Sequence, residues 1–463
     1  MTNHSGSDVA TKRMGFGVMM LRNNLRNSRK RSAVYAKSTV GLAVATASVL
    51  ALSACGAGGS DTATSGDSDE LTVMVEAGGH AELQPIADLY EKESGTKITF
   101  VELPYDGLYN RLNSEFSAGS VSFDIAALDS IWLPAFKDAV TPLNDLFTDE
   151  VKSDLFPALV QEAQLDGNYV GMPAWTNSEI LFYRTDLFGD PDEQLAFKAR
   201  YGYDLIPPTT WQQYADVAEF FTRDIDGDGQ TDLYGTDVKG AVETEWLATL
   251  SQAGEKDMVI DEDGVSTLGD KASLDALNFY SGLQEFAPPG AAQVDWAGAQ
   301  NLFYQGQTAM MRFWGHAFPQ TPEDSVAFGN VGAAPMIGGS AGIAGVPGPW
   351  YLSLAKASEK QEQGLDFLQF AYDHNDLSIE TSLGLAARIS AFEKYQDDPK
   401  YAAFKPLVET LSASATIPRP ATPKWQQIVD SVLVPMIQKS LEPGADNQQL
   451  LDDAKKQVDA ITK

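Results

Sequence analysis

An acidic loop over residues 224–235 carries the side chains best suited to hold a metal ion. It reads DIDGDGQTDLYG, with oxygen-bearing side chains at its first, third, fifth and ninth positions and a glycine at its sixth. This spacing is typical of a calcium loop, because Ca²⁺ takes oxygen ligands and the chain must turn sharply around the ion. The residues predicted to ligate calcium are Asp224, Asp226, Asp228, Gln230 and Asp232.

The last position of that loop departs from the calcium pattern. Gly235 stands where an EF-hand has a bidentate glutamate, so a further ligand must come from elsewhere or the site must be weak. A solvated turn rich in Asp and Gly explains the same residues without a metal. Calcium bound here would be structural, because the pattern offers no open position for catalysis.

A second segment matches a catalytic motif in its residue types but not in its predicted structural context. Residues 338–342 read GGSAG and match the G-x-S-x-G nucleophile elbow, in which the serine lies between a strand and a helix. Here the chain continues through glycines and prolines into a strand pattern at Trp350, and no helix follows the serine. Beyond the N-terminal leader, the candidate bases are His80, His316 and His374. The sequence therefore argues against a hydrolase, and it contains no Walker, dinucleotide-binding or H-E-x-x-H motif.

Tryptophans recur beside polar side chains along the chain. Sugars present flat C–H faces that stack on aromatic rings, and hydroxyls that bond to carboxylates, amides and guanidinium groups. A cleft lined in this way suits a carbohydrate, although each tryptophan taken alone is as readily a core residue. The pairs are Asp129 with Trp132, Trp175 with Asn177, Glu245 with Trp246, Trp314 with His316, and Trp350 with Tyr351.

The secondary-structure elements that must position these pairs indicate an α/β fold. Alternation and β-branched content predict strands over 71–76, 97–103 and 123–128, and helical spacing predicts helices over 81–94 and 105–116. This order of strands and helices indicates a doubly wound sheet with parallel strand pairs. Further helices are predicted to begin after Thr210 and to cover 241–253, 271–286, 358–373 and 424–440.

The N-terminal region has the features of an export signal. Basic residues precede an uncharged apolar run over 38–52, which is shorter than the ~20 residues of a membrane-spanning helix and typical of a secretory signal. The chain's one cysteine follows at Cys55, after Ser53 and Ala54. Here the sequence resembles a bacterial lipoprotein, which implies a signal peptide over 1–54, lipidation of Cys55 and a lipid anchor in the cell membrane, facing outward. The alternative is an ordinary secretion signal followed by a free thiol.

Composition agrees with a soluble body outside the cell. Residues 55–70 are rich in Gly, Ser, Asp and Thr and predict a flexible linker. The leader holds eight of the 33 basic and one of the 64 acidic residues, so the remainder carries a formal charge of −38. Such a surface disfavours nucleic acid as a partner. The 409 residues beyond the leader can bury the cores of two domains.

From residue 71 to 440 the chain resembles the sugar-binding proteins of ABC importers, the extracellular solute-binding family that includes maltose and trehalose binders. The resemblance implies a two-lobed periplasmic-binding-protein-like fold (type II), each lobe a doubly wound sheet, with the ligand in the hinge cleft. Lobe I would comprise 71–174 plus about 335–395, and lobe II 175–334 plus about 396–463. The motifs that carry the resemblance are FDIAALD (123–129) with Trp132, PAWTN (173–177), LFYR (181–184), PPTTW (207–211), FYQGQTAM (303–310) with Trp314, and Arg419-Pro420 with Trp425.

The resemblance also implies roles for individual residues. Asp129 would accept sugar hydroxyls, Arg419 would donate to them, and tryptophans would stack on the sugar rings. Many relatives have an acid where Asn177 stands, and Pro349 precedes Trp350 where relatives have glycine. The residues predicted to contact the ligand are Asp129, Trp175, Asn177, Trp246, Trp314, Trp350, Arg419, His80, Glu82 and Trp132.

The function implied is capture of an α-glucoside, such as maltose or trehalose, by hinge closure and its delivery to ABC permease subunits. A monomer without catalytic residues or a catalytic cofactor is expected. Two other classes remain open on the residues alone. They are a secreted glycoside hydrolase and a solute-binding lipoprotein for a peptide or polyamine.

Overall fold

The computed structural model of the protein describes residues 70–463. The predicted signal peptide, Cys55 and almost all of the predicted linker therefore lie outside the described residues. The strands are β1 (Glu70–Glu76), β2 (Lys97–Leu103), β3 (Ile125–Asp129), β4 (Gln164–Leu165), β5 (Asn168–Tyr169), β6 (Met172–Trp175), β7 (Glu179–Arg184), β8 (Met310–Trp314), β9 (Val331–Ala334), β10 (Gly338–Gly339), β11 (Gly342–Ile343) and β12 (Trp350–Leu354).

The α-helices alternate with the strands along the chain. They are α1 (His80–Ser94), α2 (Tyr105–Ala118), α3 (Leu133–Phe136), α4 (Asp149–Ser153), α5 (Pro157–Ala163), α6 (Thr185–Phe188), α7 (Pro191–Tyr201), α8 (Trp211–Phe221), α9 (Thr244–Ala253), α10 (Lys271–Gly282), α11 (Trp296–Tyr304), α12 (Gln361–Asp373), α13 (Ile389–Tyr395), α14 (Phe404–Ser412), α15 (Trp425–Ile428), α16 (Val434–Ser440) and α17 (Asn447–Thr462). Within residues 70–463, no helix combines the length and apolar character that crossing a membrane requires.

Five strands form the first sheet, in the order β2-β1-β3-β12-β6. β1 pairs in parallel with β2 and β3, as the alternation of strands and helices predicts, whereas β12 is antiparallel to both β3 and β6. Every residue of β3 is buried, which explains the apolar run from Ile125 to Leu128 because both faces of the strand are covered. The first sheet thus has a parallel half and an antiparallel half that meet at β3.

Three strands form the second sheet, in the order β8-β7-β9, and they are antiparallel. The predicted parallel character therefore belongs to the first sheet and not to the second. The chain leaves the first sheet after β6, forms β7, β8 and β9 of the second sheet, and re-enters the first sheet at β12. This path of the chain accounts for the different strand directions in the two sheets. The lobe boundaries stay a prediction.

The predicted helices are present, with small shifts at their ends. The helix predicted over 358–373 begins at Gln361, and that predicted over 271–286 ends in a 3₁₀ turn after Gly282. The segment predicted as one helix over 424–440 is helical from Trp425 to Ser440 and contains a π-helical turn over 429–433. Element type was thus readable from periodicity, whereas the ends depend on local capping.

Candidate functional site

Three neighbouring strands of the first sheet place predicted ligand-binding residues side by side. In the register of the sheet, Trp350 lies opposite Asp129 on one side and opposite Trp175 on the other. Because β12 is antiparallel to β3 and β6, its first residue lies beside their last residues. The rings of Trp175 and Trp350 stack with centroids 5.8 Å apart and an interplanar angle of 21°. This end of the sheet therefore carries a carboxylate beside two aromatic rings.

The turn after β3 adds a third tryptophan to this row. Ser130–Trp132 form a 3₁₀ turn that sets the Trp132 ring 5.5 Å from that of Trp350. Tyr105, the first residue of α2, lies 4.6 Å from the Trp132 ring and donates a hydrogen bond of 2.9 Å to Asp129 Oδ2. Sequence reasoning missed Tyr105, although its position directly after β2 puts it at the same edge of the sheet as Asp129.

The other oxygen of Asp129 pairs with Arg419, which lies between α14 and α15. The Nη2 of Arg419 is 3.3 Å from Asp129 Oδ1 and 3.0 Å from Ser130 Oγ. Burial alone would lower the pKa of Arg419, but the carboxyl groups of Asp129, Glu162 and Glu243 raise it above its ordinary value. The guanidinium group therefore stays charged, and the structure brings together the predicted acceptor and the predicted donor for sugar hydroxyls.

A cleft of about 610 Å³ lies next to this ion pair. Its lining includes Ser130, Glu162 and Arg419, together with residues 256–258, 260–264 and Thr462. Its volume is in the range of small-molecule sites. The predicted tryptophans are not among its lining residues, and three of them, Trp132, Trp175 and Trp350, pack against one another.

A smaller pocket of about 390 Å³ is lined by Trp132 and Tyr105. Ile131 lines both the pocket and the cleft, and Gln426 and Asp430 supply polar groups to the pocket. Aromatic rings beside amide and carboxylate groups are the combination expected for a sugar. The aromatic row thus reaches ligand-sized space through Trp132.

Asn177, in the connection from β6 to β7, has both ends of its amide occupied by the protein. Its Oδ1 accepts from the backbone nitrogens of Ser178 at 3.0 Å and Gly315 at 3.1 Å. Its Nδ2 donates to Nδ1 of His316 at 2.7 Å. Burial lowers the pKa of His316 to about 4, so the imidazole is neutral and can accept. Asn177 therefore holds the ends of β7 and β8 together, and the second N–H of its amide is left to donate to a ligand.

Trp314 lies at the end of β8, in the second sheet. It is half-buried and meets Trp296 edge to face, with centroids 6.3 Å apart. A Cβ at Gly348 would lie only 3.0 Å from Cζ3 of Trp314. The glycine between Pro347 and Pro349 therefore lets the chain pass close to this ring.

Three predicted contacts do not face the cleft. Trp246 is completely buried in α9, and Glu82 is completely buried in α1. Glu82 accepts hydrogen bonds from Thr381 Oγ1, from Ser382 Oγ at 3.2 Å and from the Leu383 nitrogen at 2.9 Å, so it holds a turn. Neither side chain lines the cleft, and the role of Trp246 and Glu82 as ligand contacts stays a prediction.

His80 is the third of these residues. It lies on the surface at the start of α1, and its Nδ1 is 2.5 Å from Oε1 of Glu102. The side chain is 41% exposed. Its place in the first strand-to-helix turn is as predicted, but its partner is the end of β2, and it does not line the cleft.

A fully buried ionic cluster beside the second sheet was not predicted. Lys239 Nζ pairs with Asp237 at 2.7 Å and with Glu245, and Arg312 Nη2 lies 3.0 Å from Glu245 Oε2. Burial raises the pKa of Glu179, which accepts from Thr244 Oγ1 at 2.8 Å, and the nearby Glu245 raises it further. The signal for this cluster was a charged residue inside an apolar strand, since Arg312 stands within MMRFW.

The acidic loop is exposed, and some of its carboxylate groups lie close together. Carboxylate oxygens of Asp224, Asp226 and Asp232 lie within 4.8 Å of one another, whereas Asp228 is not part of that group. Backbone nitrogens of Gly229 and Gly227 donate to Asp224 and lower its pKa. Three oxygens so close together fit a cation that prefers oxygen ligands.

Ser340 does not lie in a nucleophile elbow. It occupies the turn of a short hairpin made by β10 and β11, and its hydroxyl donates to the Ala253 carbonyl at 2.9 Å. The next regular element is the strand β12. The geometry thus agrees with the sequence argument against a hydrolase serine.

Comparisons with known proteins place these features in context. The profile of the family described as bacterial extracellular solute-binding protein matches residues 76–375. A probable ABC transporter-binding protein of Deinococcus radiodurans is 25% identical over 390 residues, covering 79% of this chain and 88% of that protein. A maltooligosaccharide ABC transporter solute-binding lipoprotein of Streptococcus pneumoniae is 28% identical over 289 residues, covering 60% of this chain and 63% of the relative.

Solved structures share the architecture. The sugar-binding protein MalE of Xanthomonas citri superposes with a TM-score of 0.70 at 20% identity, covering 85% of this chain and 97% of that one. The cyclic α-maltosyl-1,6-maltose binding protein of Arthrobacter globiformis gives 0.69 at 21% identity, covering 85% and 99%. These neighbours are two-lobed α/β solute-binding proteins, so the predicted fold class is confirmed.

Proposed function

Because the chain belongs to the bacterial extracellular solute-binding protein family, we propose that it is the extracytoplasmic sugar-binding component of an ABC importer. Its ligand is an α-glucoside of the maltose or trehalose type, which it delivers to the permease subunits. The observation that carries this proposal is the Asp129–Arg419 pair, which lies beside an aromatic row and a cleft of about 610 Å³.

The chemistry of this pair suits a polyhydroxylated ligand. Asp129 offers carboxylate oxygens as acceptors and Arg419 offers N–H groups as donors, and a sugar hydroxyl can use both. Hydrogen bonds to charged groups contribute ~1.5–3 kcal/mol each. Asp129 ends a strand of the first sheet, whereas Arg419 belongs to a segment predicted for lobe II. A sugar bound to both therefore favours closure by its higher affinity for the closed state.

Simple measurements distinguish a sugar-binding protein from the other two classes, a glycoside hydrolase and a binding protein for a peptide or polyamine. Maltose, maltotriose and trehalose should each be tested for a rise in melting temperature, since a ligand that binds only the native state stabilises it. Spermidine and a mixture of short peptides serve as the contrasting ligands. Stabilisation by sugars, with the sugar recovered intact after incubation, is the expected result. Stabilisation by spermidine or peptides alone, or cleavage of the sugar, would contradict the proposal.

We also propose that Cys55 is lipidated and anchors the protein to the outer face of the cell membrane. The proposal rests on the apolar run before Cys55 and on the lipoprotein named among the relatives. Cys55→Ser should leave an unlipidated precursor or release the protein into the medium. A variant that still carries labelled lipid and partitions into detergent would contradict the anchor.

A structural calcium ion in the loop 224–235 is the remaining proposal. It is supported by the carboxylate oxygens of Asp224, Asp226 and Asp232, which lie within 4.8 Å of one another. Closely spaced carboxylates repel one another unless a cation neutralises them. The ion would link the end of α8 to the segment that follows it.

A further inference from the structure

Trp296 is the most exposed tryptophan among residues 70–463, and no sequence motif marks it. Its side chain is 37% exposed. It is the first residue of α11, and Asp295 before it fixes the start of the helix by accepting a hydrogen bond of 2.8 Å from the Gly298 nitrogen. A single exposed apolar side chain is common on protein surfaces, so the neighbours of Trp296 decide what it does.

Trp296 and Trp314 form a pair of rings that solvent reaches. Their centroids are 6.3 Å apart and their planes make an angle of 60°, and Trp314 is half-buried. In an edge-to-face pair, the ring that contributes its edge keeps both of its faces free of its partner. A sugar ring uses such a face, because its C–H groups stack on aromatic rings. The pair therefore offers a flat apolar surface of the kind that a sugar covers.

The backbone of Gly348 and Pro349 connects this pair with the aromatic row of the first sheet. A Cβ at Gly348 would lie only 3.0 Å from Cζ3 of Trp314, so the backbone passes directly over that ring. The carbonyl oxygen of Pro349 accepts a hydrogen bond of 3.2 Å from the nitrogen of Ser130. Trp350, which belongs to the aromatic row, comes next in the chain. A ligand lying along this segment therefore meets the row at one end and the second pair of rings at the other.

A second run of contacts links the start of α11 with the cleft. The nitrogen of Ala241 donates a hydrogen bond of 3.0 Å to the carbonyl oxygen of Val294, two residues before Trp296. Glu243 follows Ala241 at the N-terminal end of α9. Burial raises the pKa of Glu243, and the nearby guanidinium of Arg419 opposes this rise. Two separate runs of contacts thus lead from Trp296 to the Asp129–Arg419 pair.

We propose that Trp296 is a ligand-stacking residue that sets the preferred length of the sugar chain. Asp129, Arg419 and the aromatic row hold the first sugar units, and a further unit stacks on Trp296 beside Trp314. The inference rests on the proposed function and narrows it, because it makes the preferred ligand an oligosaccharide longer than a disaccharide. A disaccharide held at Asp129 leaves Trp296 uncovered, whereas a longer chain covers it.

The affinities of Trp296 variants for sugars of different length test this role. Trp296→Ala should bind maltotetraose about 5- to 10-fold more weakly than wild type and maltose within about 2-fold, because only the longer sugar loses a stacking contact. Trp296→Phe keeps an aromatic face and should recover most of the affinity for maltotetraose. Calorimetric titration of each variant with both sugars provides the values.

Phe328→Ala is the matched control, since Phe328 is an aromatic side chain that is 49% exposed. It lies near the other end of β7, where the nitrogen of Thr185 donates to the carbonyl oxygen of Asn330, whereas Trp314 pairs with the first residue of β7. Phe328→Ala should therefore bind both sugars as wild type does. Normal affinity of Trp296→Ala for maltotetraose would overturn the contact. Equal weakening for the two sugars, or a loss of stability that accounts for the weaker binding, would overturn the role in chain length.

Fluorescence quenching by acrylamide follows Trp296 in the protein itself. The difference between wild type and Trp296→Phe isolates the quenching of this exposed ring. Saturating maltotetraose should reduce that quenching by at least about half through loss of exposed ring surface, and saturating maltose should leave it nearly unchanged. A wild type that binds none of the sugars would contradict the proposed function and this inference with it. A wild type that binds maltose and maltotetraose but leaves Trp296 equally quenched by acrylamide would contradict the inference alone.

Discussion

Two buried charge clusters of this protein are chemically alike and differ in their access to solvent. The cleft cluster consists of Arg419, Asp129 and Glu162, and the enclosed cluster consists of Lys239, Arg312, Asp237, Glu245 and Glu179. In both, neighbouring carboxylates keep the basic groups charged despite burial. In both, burial raises the pKa of one carboxyl group, Glu162 in the first and Glu179 in the second.

The difference lies in what surrounds each cluster. Members of the enclosed cluster are at most 1% exposed, whereas the side chains of Asp129 and Arg419 are each 11% exposed and Arg419 lines a cleft. Unpartnered atoms occur in both, including Nε of Arg312. A lack of partners therefore does not identify a ligand site. Ligand-sized space next to the unpartnered groups distinguishes the cleft cluster.

Breaking the enclosed cluster should have the largest effect on stability. Lys239→Met leaves Asp237 and Glu245 buried with too little positive charge, and removing one partner of a buried pair costs ~3–5 kcal/mol. Urea denaturation should show this loss in the free energy of unfolding. Lys137→Met is the control, since Lys137 pairs with an exposed Asp166 and such pairs contribute ~0–1 kcal/mol. Equal losses in the two variants would contradict the assignment of a structural role to the cluster.

Two tryptophans next to these clusters should separate stability from binding. Trp246, beside Glu245, is completely buried, so Trp246→Ala should cost ~3–5 kcal/mol of unfolding free energy. Trp350 lies opposite Asp129 and is half-buried, so Trp350→Ala should lose less stability but bind maltotriose at least ~10-fold more weakly. Denaturation and calorimetry on both variants provide the comparison. A Trp350→Ala variant with normal affinity would assign that ring to the core.

The raised pKa of Glu162 makes a prediction about pH. The folded protein holds a proton up to about pH 8, whereas the unfolded chain releases it near the ordinary value of 4.5. Folding therefore takes up a proton between these values, and the stability contribution present below pH 4.5 is lost as the pH rises toward 8. The free energy of unfolding of Glu162→Gln, relative to wild type, should rise from pH 5 to pH 8 by up to ~1.4 kcal/mol per unit. A constant difference across this range would show that Glu162 is ionised.

The smallest effect should come from the exposed acidic loop. Calcium should raise the melting temperature of wild type by a few degrees, because it binds only the folded loop. Asp224→Ala should abolish this rise and change little in chelator, whereas Asp263→Ala, in another exposed acidic turn, should leave it intact. Identical melting of wild type with and without calcium would leave only a solvated turn.

Much of the fold was predictable because its signals are local. The alternation in β1 and β2 and the helical spacing in α1 follow from which faces are buried, and Gly95 ends α1 with a positive φ of 82° that favours glycine. The pairing of Trp350 with Asp129 was not predictable from spacing, because it joins strands that are distant in the chain. The antiparallel second sheet likewise depends on the path of the chain between the two sheets.

Site residues were predictable where the family resemblance supplied them. They were not predictable where side-chain packing decides which residues face the cleft. Asp129 and Arg419 were named from motifs, and the structure places them in contact. Trp246 is completely buried, and its surroundings could not be predicted because a tryptophan beside a glutamate has the same sequence pattern in a core as in a cleft. Glu162 belongs to no motif, and its surroundings depend on Tyr351, which reaches it only in the folded protein.

The most direct test of the account is a calorimetric titration of wild type and Asp129→Ala with maltose and maltotriose, with unfolding measured on the same samples. Asp129 makes charge-assisted bonds at the cleft, so its loss should weaken binding at least ~10-fold, or ~1.4 kcal/mol. Wild type should bind one sugar per chain, and the variant should remain folded. A wild type that binds no sugar, or an Asp129→Ala variant that binds with wild-type affinity, would contradict the central claim that this carboxylate holds the ligand.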